Sequence, residues 1–356
     1  MKKQVFLFRF QTSQKDQQIR KGIRRLISDS GLDTCIEKKD LTAVKVHFGE
    51  LGNSSYIPAK YIVPIVKTIR GRGARAFVTD TNVLYKSQRD NAVDHLNLAY
   101  QHGFHYKTLG APVIIADGLT GHNENEIRID APIHQTVSLA ADFVAADSVI
   151  VASHATGHLS TGLAATIKNM GMGMASRKGK LEQHSVSKPG IRPQRCTACG
   201  QCLHWCPVDA IGIPDNFAVI DENICIGCGE CLTVCRFGAV YFKWDNTNEK
   251  LQQEIAEHAL GIAKQKKDKI GYLTFLVQMT KDCDCMAQQP DYLLEDIGVL
   301  AGKDPVAIDQ AVIDLTSQKG KSLAELSYPA IQAEHQLEYA ERIGLGSREY
   351  ELLETG

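Results

Sequence analysis

Eight of the chain's eleven cysteines fall between residues 196 and 235, and their spacing is regular. Cys196, Cys199, Cys202 and Cys206 read C-x2-C-x2-C-x3-C, and Cys225, Cys228, Cys231 and Cys235 repeat the pattern 29 residues later. Three thiolates on one tight loop can reach three irons of a cubane. The fourth starts a short helix, points away, and ligates the cluster of the other half. The spacing therefore assigns Cys196, Cys199, Cys202 and Cys235 to one [4Fe–4S] cluster, and Cys225, Cys228, Cys231 and Cys206 to a second. Gly200 and Gly229 lie between ligands, where a missing Cβ lets backbone N–H groups approach sulfur. Zinc sites usually present two C-x2-C pairs a dozen or more residues apart, and disulfide frameworks belong to small secreted chains, so neither fits this pattern.

Other chemically apt residues are scattered. Lys45 and His47 lie two apart, on one face if the segment is extended, where a lysine can bind a carboxylate or phosphate or act as an acid. His154 and His158 are four apart and could share a metal, and Lys168-Asn169 follows in a glycine-rich stretch. Asp282-Cys283-Asp284-Cys285, if extended, puts both thiols on one side and both carboxylates on the other. Cys283 and Cys285 could then bind metal, act as a redox pair or donate a proton. Cys35 stands alone and reads as structural, and Met170, Met172 and Met174 read as packing.

The elements that must position these groups alternate in type. Strands are expected at 5–10, 41–46, 75–79, 112–116, 148–152, 270–277 and 297–301. Helices are expected at 16–28, from Pro58, and at 87–101, 138–146, 161–170, 248–264, 305–317 and 329–343. This alternation indicates βαβ units and a largely parallel sheet. Residues 173–194, rich in Ser, Lys, Gly and Pro, read as a linking loop. The expected organisation is an α/β domain over 1–190 and 246–356 with a two-cluster ferredoxin-like (α+β) domain inserted at 191–245. In open parallel sheets ligands bind beyond the carboxyl ends of the strands. Lys45, His47, Glu50, Asp80, Asp117, His154, His158, Cys283 and Cys285 all follow or end expected strands, and are groups suited to proton transfer or metal binding.

Composition narrows the partners. The 356 residues carry 40 Lys+Arg against 41 Asp+Glu, a net charge of -1, which excludes a broadly basic surface for nucleic acid or anionic lipid. No apolar run reaches the roughly 18 residues of a membrane span. The apolar run Val5–Phe8 ends at a charge and does not read as a secretory signal, so the cytoplasm is expected.

Residues 196–243 resemble the bacterial two-cluster ferredoxins, with one departure: Pro207 follows Cys206, but Arg236 follows Cys235. An arginine there would stabilise the reduced cluster and raise its potential. Lys45-Val-His47-Phe-Gly49-Glu50, Thr79-Asp80-Thr81-Asn82, His154-x3-His158, Lys168-Asn169-Met-Gly171-Met-Gly173, Asp282-Cys283-Asp284-Cys285 and Lys303-Asp304-Pro305 together resemble the family called domain of unknown function 362, in its ferredoxin-containing form. That resemblance implies an α/β domain with a two-cluster insert, and no particular reaction. The spacing of His158 and Lys168 is also similar to a stretch of the nickel-pincer lactate racemases, and an analogy of that kind assigns no chemistry. The expectation is an iron–sulfur oxidoreductase passing low-potential electrons to a small molecule at the strand ends. Its alternatives are an electron carrier, or a metal- or cofactor-maturation accessory, docking to a partner oxidoreductase.

Overall fold

The computed structural model describes residues 2–85, 87–184, 188–206, 208–225, 230–242, 248–287, 291–317 and 320–356. Cys228, Gly229 and Pro207 lie outside them. The chain runs through β1 (Lys3–Arg9), α1 (Asp16–Asp29), β2 (Leu41–Lys45), α2 (Ala59–Gly71), β3 (Arg75–Asp80), α3 (Ala92–Gln101), α4 (Tyr106–Leu109) and β4 (Val113–Ile115). Next come β5 (Glu124–Arg128), β6 (Thr136–Ala140), α5 (Ala141–Ala145), β7 (Ser148–His154), β8 (Thr156–His158), β9 (Gly162–Ala164), α6 (Thr166–Gly171) and α7 (Arg177–His184). The cysteine segment holds β10 (Pro189–Ile191), α8 (Gln201–His204), β11 (Ile211–Gly212), β12 (Val219–Ile220), α9 (Glu230–Val234) and β13 (Val240–Phe242). The chain finishes with α10 (Asn248–Lys266), β14 (Ile270–Leu276), β15 (Gly298–Gly302), α11 (Pro305–Ser317), α12 (Leu323–Ser327), α13 (Glu334–Arg342) and β16 (Tyr350–Glu354).

The central sheet has the order β16-β1-β15-β14-β7-β2-β3-β4. Only β15 runs antiparallel to its neighbours, β1 and β14. The fold is thus mixed α/β with a large, mostly parallel sheet. Alternate residues of each strand feed opposite faces. Val44, Val78, Ile150, Ala152, Leu273 and Phe275 pack under α1 and α2. Ala43, Phe77, Val149, Val151 and Tyr272 pack under α6, α10 and α11. Strands buried on both faces read as near-continuous apolar runs, as β7 does from Val149 to Ala152 and β14 does apart from Thr274. Helix α1 needs only one apolar stripe, which Ile19, Ile23, Leu26 and Ile27 supply. Each such side chain contributes about 1.5–3 kcal/mol on burial.

Several expected elements are replaced. Residues 136–140 are strand β6, paired with β5, and only 141–145 are helical. Thr136-Val-Ser-Leu-Ala alternates polar and apolar up to Leu139 and is buried on both faces beyond Thr136, a period of two that outweighs its helix formers. The expected helix at 161–170 is split into β9 and the short α6. The expected loop at 173–194 contains α7, whose Lys180 and Gln183 are buried and whose Gly179 lies against β6. A Cβ on Gly179 would stand 2.0 Å from the Ser138 carbonyl oxygen, so the glycine that suggested a loop is what lets the helix dock. Helix α3 begins at Ala92, behind the Asn91 cap, not at 87, and α13 begins at Glu334, not at 329. Strand β16 was not expected.

In the cysteine segment β10 pairs with β13 and β11 with β12. Cys202, Ile211, Ala218, Cys231 and Val240 form its small core. Among the described residues no helix is long and apolar enough to cross a membrane.

Candidate functional site

Lys45, His47, His154, His158, Lys168, Cys283 and Cys285 all line one cavity of about 1200 Å3. It lies beyond the carboxyl ends of β2, β3 and β7, where Lys45, Asp80 and His154 end their strands. Parallel strands in register bring these ends together: Lys45 pairs with Thr79 on one side and Val151 on the other.

Lys45 is fully buried and forms an ion pair with Asp80 at 3.0 Å. Its Nζ also donates to Asn169 Oδ1 at 2.7 Å. The Asn169 amide is oriented by its own Nδ2, which donates to the Ala152 carbonyl at 3.1 Å and Ser153 Oγ at 3.0 Å. Burial lowers the Lys45 pKa against the pull of Asp80. Burial alone would raise the Asp80 carboxyl, but Lys45 and its cationic neighbours hold it well below the usual range. Among the described residues Asp80 Oδ2 is buried without a hydrogen-bond partner, with Arg89 Nη1 3.9 Å and His95 Nε2 3.8 Å away.

Arg89, at 1% exposure, binds Glu50 through Nε at 3.1 Å and Tyr85 through Nη2 at 2.6 Å. Its Nη1 sits 2.8 Å from His47 Nε2, while the Gly49 N–H sits 2.9 Å from Nδ1. Burial, and then the guanidinium, push the His47 pKa well down, so the ring is uncharged.

Residues 282–285 form a pinned turn rather than an extended strand. Cys283 and Cys285 are joined as a disulfide. Asp284, between them, is buried against His154 Nδ1 at 2.9 Å and accepts from Ser55 Oγ at 3.0 Å. Asp282 accepts from the Tyr328 hydroxyl, and Tyr85 Oη donates to the Cys285 carbonyl at 2.9 Å. His154 Nε2 donates to the Val277 carbonyl at 2.7 Å. Both of its ring nitrogens therefore face acceptors. Burial opposes the charge, but Asp284 and the Val277 carbonyl raise the pKa above its ordinary value and so favour the imidazolium. With both ring nitrogens so engaged, His154 stands apart from His158, whose neighbours among the potential metal donors are Cys283 and Cys285. His158 ends β8 rather than opening a helix.

His158, Cys283 and Cys285 instead stand together, with one potential donor atom of each within 4.8 Å of the others. His158 Nδ1 accepts from the Ser160 and Thr161 N–H groups, both at 3.2 Å, which leaves the ring proton on Nε2. Lys168 Nζ lies 3.7 Å from Cys283 Sγ. Burial, then Arg89, lower the Lys168 pKa to about 8, so the ammonium still dominates at pH 7. Among the described residues no carboxylate lies within ion-pair distance of it, whereas Lys45, Arg89 and His154 each have one.

The sequence reading missed Arg89 and Lys180. Arg89 falls in a segment read as helix; the Asn91-x-x-Asp94 cap marks the later start, with Asn91 accepting from the Asp94 N–H at 3.0 Å. That places Arg89 in the loop between β3 and α3. Lys180 falls in α7 and donates to Thr81 Oγ1, the Asn82 carbonyl and the Ala175 carbonyl at 2.7, 2.6 and 3.0 Å. Cys35 is buried and donates to the Ile270 carbonyl at 3.4 Å.

In the cysteine segment Cys196, Cys199, Cys202 and Cys235 line one small cavity with Ile191, Gly200 and Ala218. None of Cys196, Cys199, Cys202, Cys206, Cys225, Cys231 and Cys235 is in a disulfide. Their sulfurs accept backbone N–H groups: Ala218 to Cys196 at 3.3 Å, Ala210 to Cys206 at 3.2 Å and Ala239 to Cys235 at 3.3 Å. The segment is rooted at the large cavity, because His184 at the end of α7 and Asn248 at the start of α10 both line it.

A family model described as Domain of unknown function (DUF362) matches residues 42–314. Ferredoxin-2 of Chlorobaculum tepidum is 52% identical over 31 residues, which are 9% of this chain and 50% of that protein. Among solved structures, the lactate racemase apoprotein from Thermoanaerobacterium thermosaccharolyticum aligns with a TM-score of 0.42 at 12% identity, covering 77% of this chain and 51% of that one. A protein from Thermotoga maritima aligns with a TM-score of 0.42 at 9% identity, covering 94% of this chain and 59% of its own. The chain thus spans about half the length of these relatives.

Proposed function

We propose that this chain, which belongs to the domain of unknown function 362 family, is an iron–sulfur protein that passes electrons to a small anionic molecule held beyond the strand ends. Cys196, Cys199, Cys202 and Cys235 would hold one [4Fe–4S] cluster, and Cys206, Cys225, Cys228 and Cys231 a second, within a module spanning 191–245. Such clusters supply single electrons at low potential when bound. The observation that carries this reading is the shared cavity of three cysteines from the first motif and one from the second. Backbone N–H groups aimed at three of the sulfurs fit thiolates bearing the charge of a cluster.

The large cavity supplies the rest. Lys168, a half-buried ammonium without a carboxylate partner among the described residues, binds an anionic group of the guest and holds a proton at Nζ for it. Asp80, whose Oδ2 is buried 3.9 Å from Arg89 Nη1 and 3.8 Å from His95 Nε2, fixes the charge of the wall behind the guest. Arg89 and Lys45 are neutralised by Glu50 and Asp80 and fix the walls. His154 and Asp284 position the turn at 282–285. A second reading, an electron carrier docking to a partner oxidoreductase, is favoured by Trp205, Ile224 and Phe237, which are about half exposed on the cysteine segment.

Anaerobic purification followed by iron and acid-labile sulfide analysis tests the clusters, with eight irons per chain expected for two cubanes. A colourless chain after reconstitution would end this reading. Reoxidation of the reduced protein by small anionic acceptors is expected. Reoxidation by proteins alone would select the carrier.

A further inference from the structure

We infer that Cys283–Cys285 is a redox-active disulfide that exchanges two electrons with an external dithiol, Cys285 being the sulfur attacked and Cys283 the thiolate expelled. The inference goes beyond the iron–sulfur reading and needs no iron.

The two sulfurs are not equivalent. Cys285 is half-buried on the cavity wall, whereas Cys283 is 5% exposed. Cys283 Sγ faces the Lys168 ammonium at 3.7 Å and accepts the Cys285 N–H at 3.4 Å. A cation and a backbone donor stabilise negative charge on that sulfur, and the more stable thiolate is the better leaving group. The protonated Nε2 left to His158 adds a donor near the pair.

The surrounding turn also fits exchange better than stapling. A disulfide two residues apart closes so short a loop that it restrains the unfolded chain little. Asp282 and Asp284 already pin the turn through Tyr328, His154 and Ser55. The half-cystines therefore stay adjacent when the bond opens.

The exchange balances as follows. A thiolate of the external dithiol bonds to Cys285 Sγ, the S–S bond breaks, and its electron pair goes to Cys283 Sγ beside Lys168. The second external thiol loses its proton and attacks the sulfur bound to Cys285. Cys285 leaves as a thiolate and takes up a proton. The external dithiol ends as a disulfide, and the pair has gained two electrons.

The test uses the full chain, kept anaerobic and folded, in graded mixtures of reduced and oxidised dithiothreitol, with alkylation and mass spectrometry of the peptide containing 282–285. A reversible two-electron transition of that peptide is expected. With oxidised glutathione, Cys283→Ser should trap the mixed disulfide on Cys285 about tenfold faster than Cys285→Ser traps it on Cys283. Lys168→Met should slow reduction by dithiothreitol about tenfold, while Lys168→Arg keeps most of the rate. The proposal is overturned by a disulfide that opens only on unfolding, by equal or reversed trapping, by an unchanged rate in folded Lys168→Met, or by a metal ion on the reduced pair that prevents reoxidation. Should Lys168→Met not fold, the trapping pair decides alone.

Discussion

His154 and Asp284 answer to pH from opposite sides. The Asp284 carboxyl lies below its ordinary 3.8: burial would raise it, but His154 outweighs burial. Its contribution to stability is present above 3.8 and is lost as pH falls through the lower folded value. His154 lies above its ordinary 6.5, so its contribution is full below 6.5 and is lost as pH rises through the higher folded value. The pair is strongest between those limits. Asp284→Asn should cost about 3–5 kcal/mol at pH 6, by denaturant titration, and less at pH 3 and pH 9. An equal loss at all three would mean that shape, not charge, is at stake. Arg89→Met strands Glu50 as a buried charge and should cost a similar 3–5 kcal/mol or so. Asp284 and Arg89 differ in legibility. The unusual Asp-Cys-Asp-Cys alternation draws the eye to Asp284, but nothing local shows that it will face His154, 130 residues away. Arg89 looks like any arginine in a polar stretch, because its burial is decided by Glu50 and Tyr85 from elsewhere in the loop cluster.

Helix α6 carries Lys168 and Asn169, and it is held from outside. Asp309 of α11 accepts the Thr166 and Ile167 N–H groups, each at 2.8 Å. Asp309→Ala leaves two buried donors unpaired, at about 1–3 kcal/mol each. Urea unfolding should show the loss, and Lys168-dependent reduction of the disulfide should slow with it. Gly173 follows α6, and a Cβ there would stand 2.3 Å from the Asn169 carbonyl oxygen and 2.9 Å from Lys45 Nζ. Gly173→Ala should displace the Lys45 ammonium and lower the melting temperature. A crystal structure of the variant with Lys45 unmoved would remove close packing as the reason for that glycine. Elements whose apolar pattern matches one period were legible: β2, β3, β7, β14 and α1 fall within a few residues of expectation. The β5–β6 hairpin and α7 were not. Their partners are distant in sequence, and α7 is mostly charged, with Lys180 and Gln183 satisfied only after the chain has folded around them.

At the scale of the molecule, the cysteine spacing is the most regular feature of the sequence, and the structure gathers Cys196, Cys199, Cys202 and Cys235 around one cavity. Cys235→Ser should remove about half the iron while the α/β unit keeps its circular dichroism, since one ligand closes one cubane. Retention of all iron would argue against the crossed assignment. Replacing 188–242 by a short Gly-Ser bridge should leave a folded, cooperative α/β unit, because the sheet and its two apolar layers contain none of those residues. Failure to fold would show that the insert contributes to that core. The register of β16 beside β1 was invisible, as Tyr350–Glu354 is a half-exposed edge strand with little apolar pattern.

His184 and Asn248 belong at once to the cavity wall and to the two tethers of the cysteine segment. A guest that favours one placement of these residues therefore pulls on the leads of the insert. Thermodynamic reciprocity then requires that a change in the insert alter the guest's grip by the same factor. Occupancy of the cavity and the midpoint potential of the proposed clusters should thus be measured as one linked quantity, each serving as a gauge of the other.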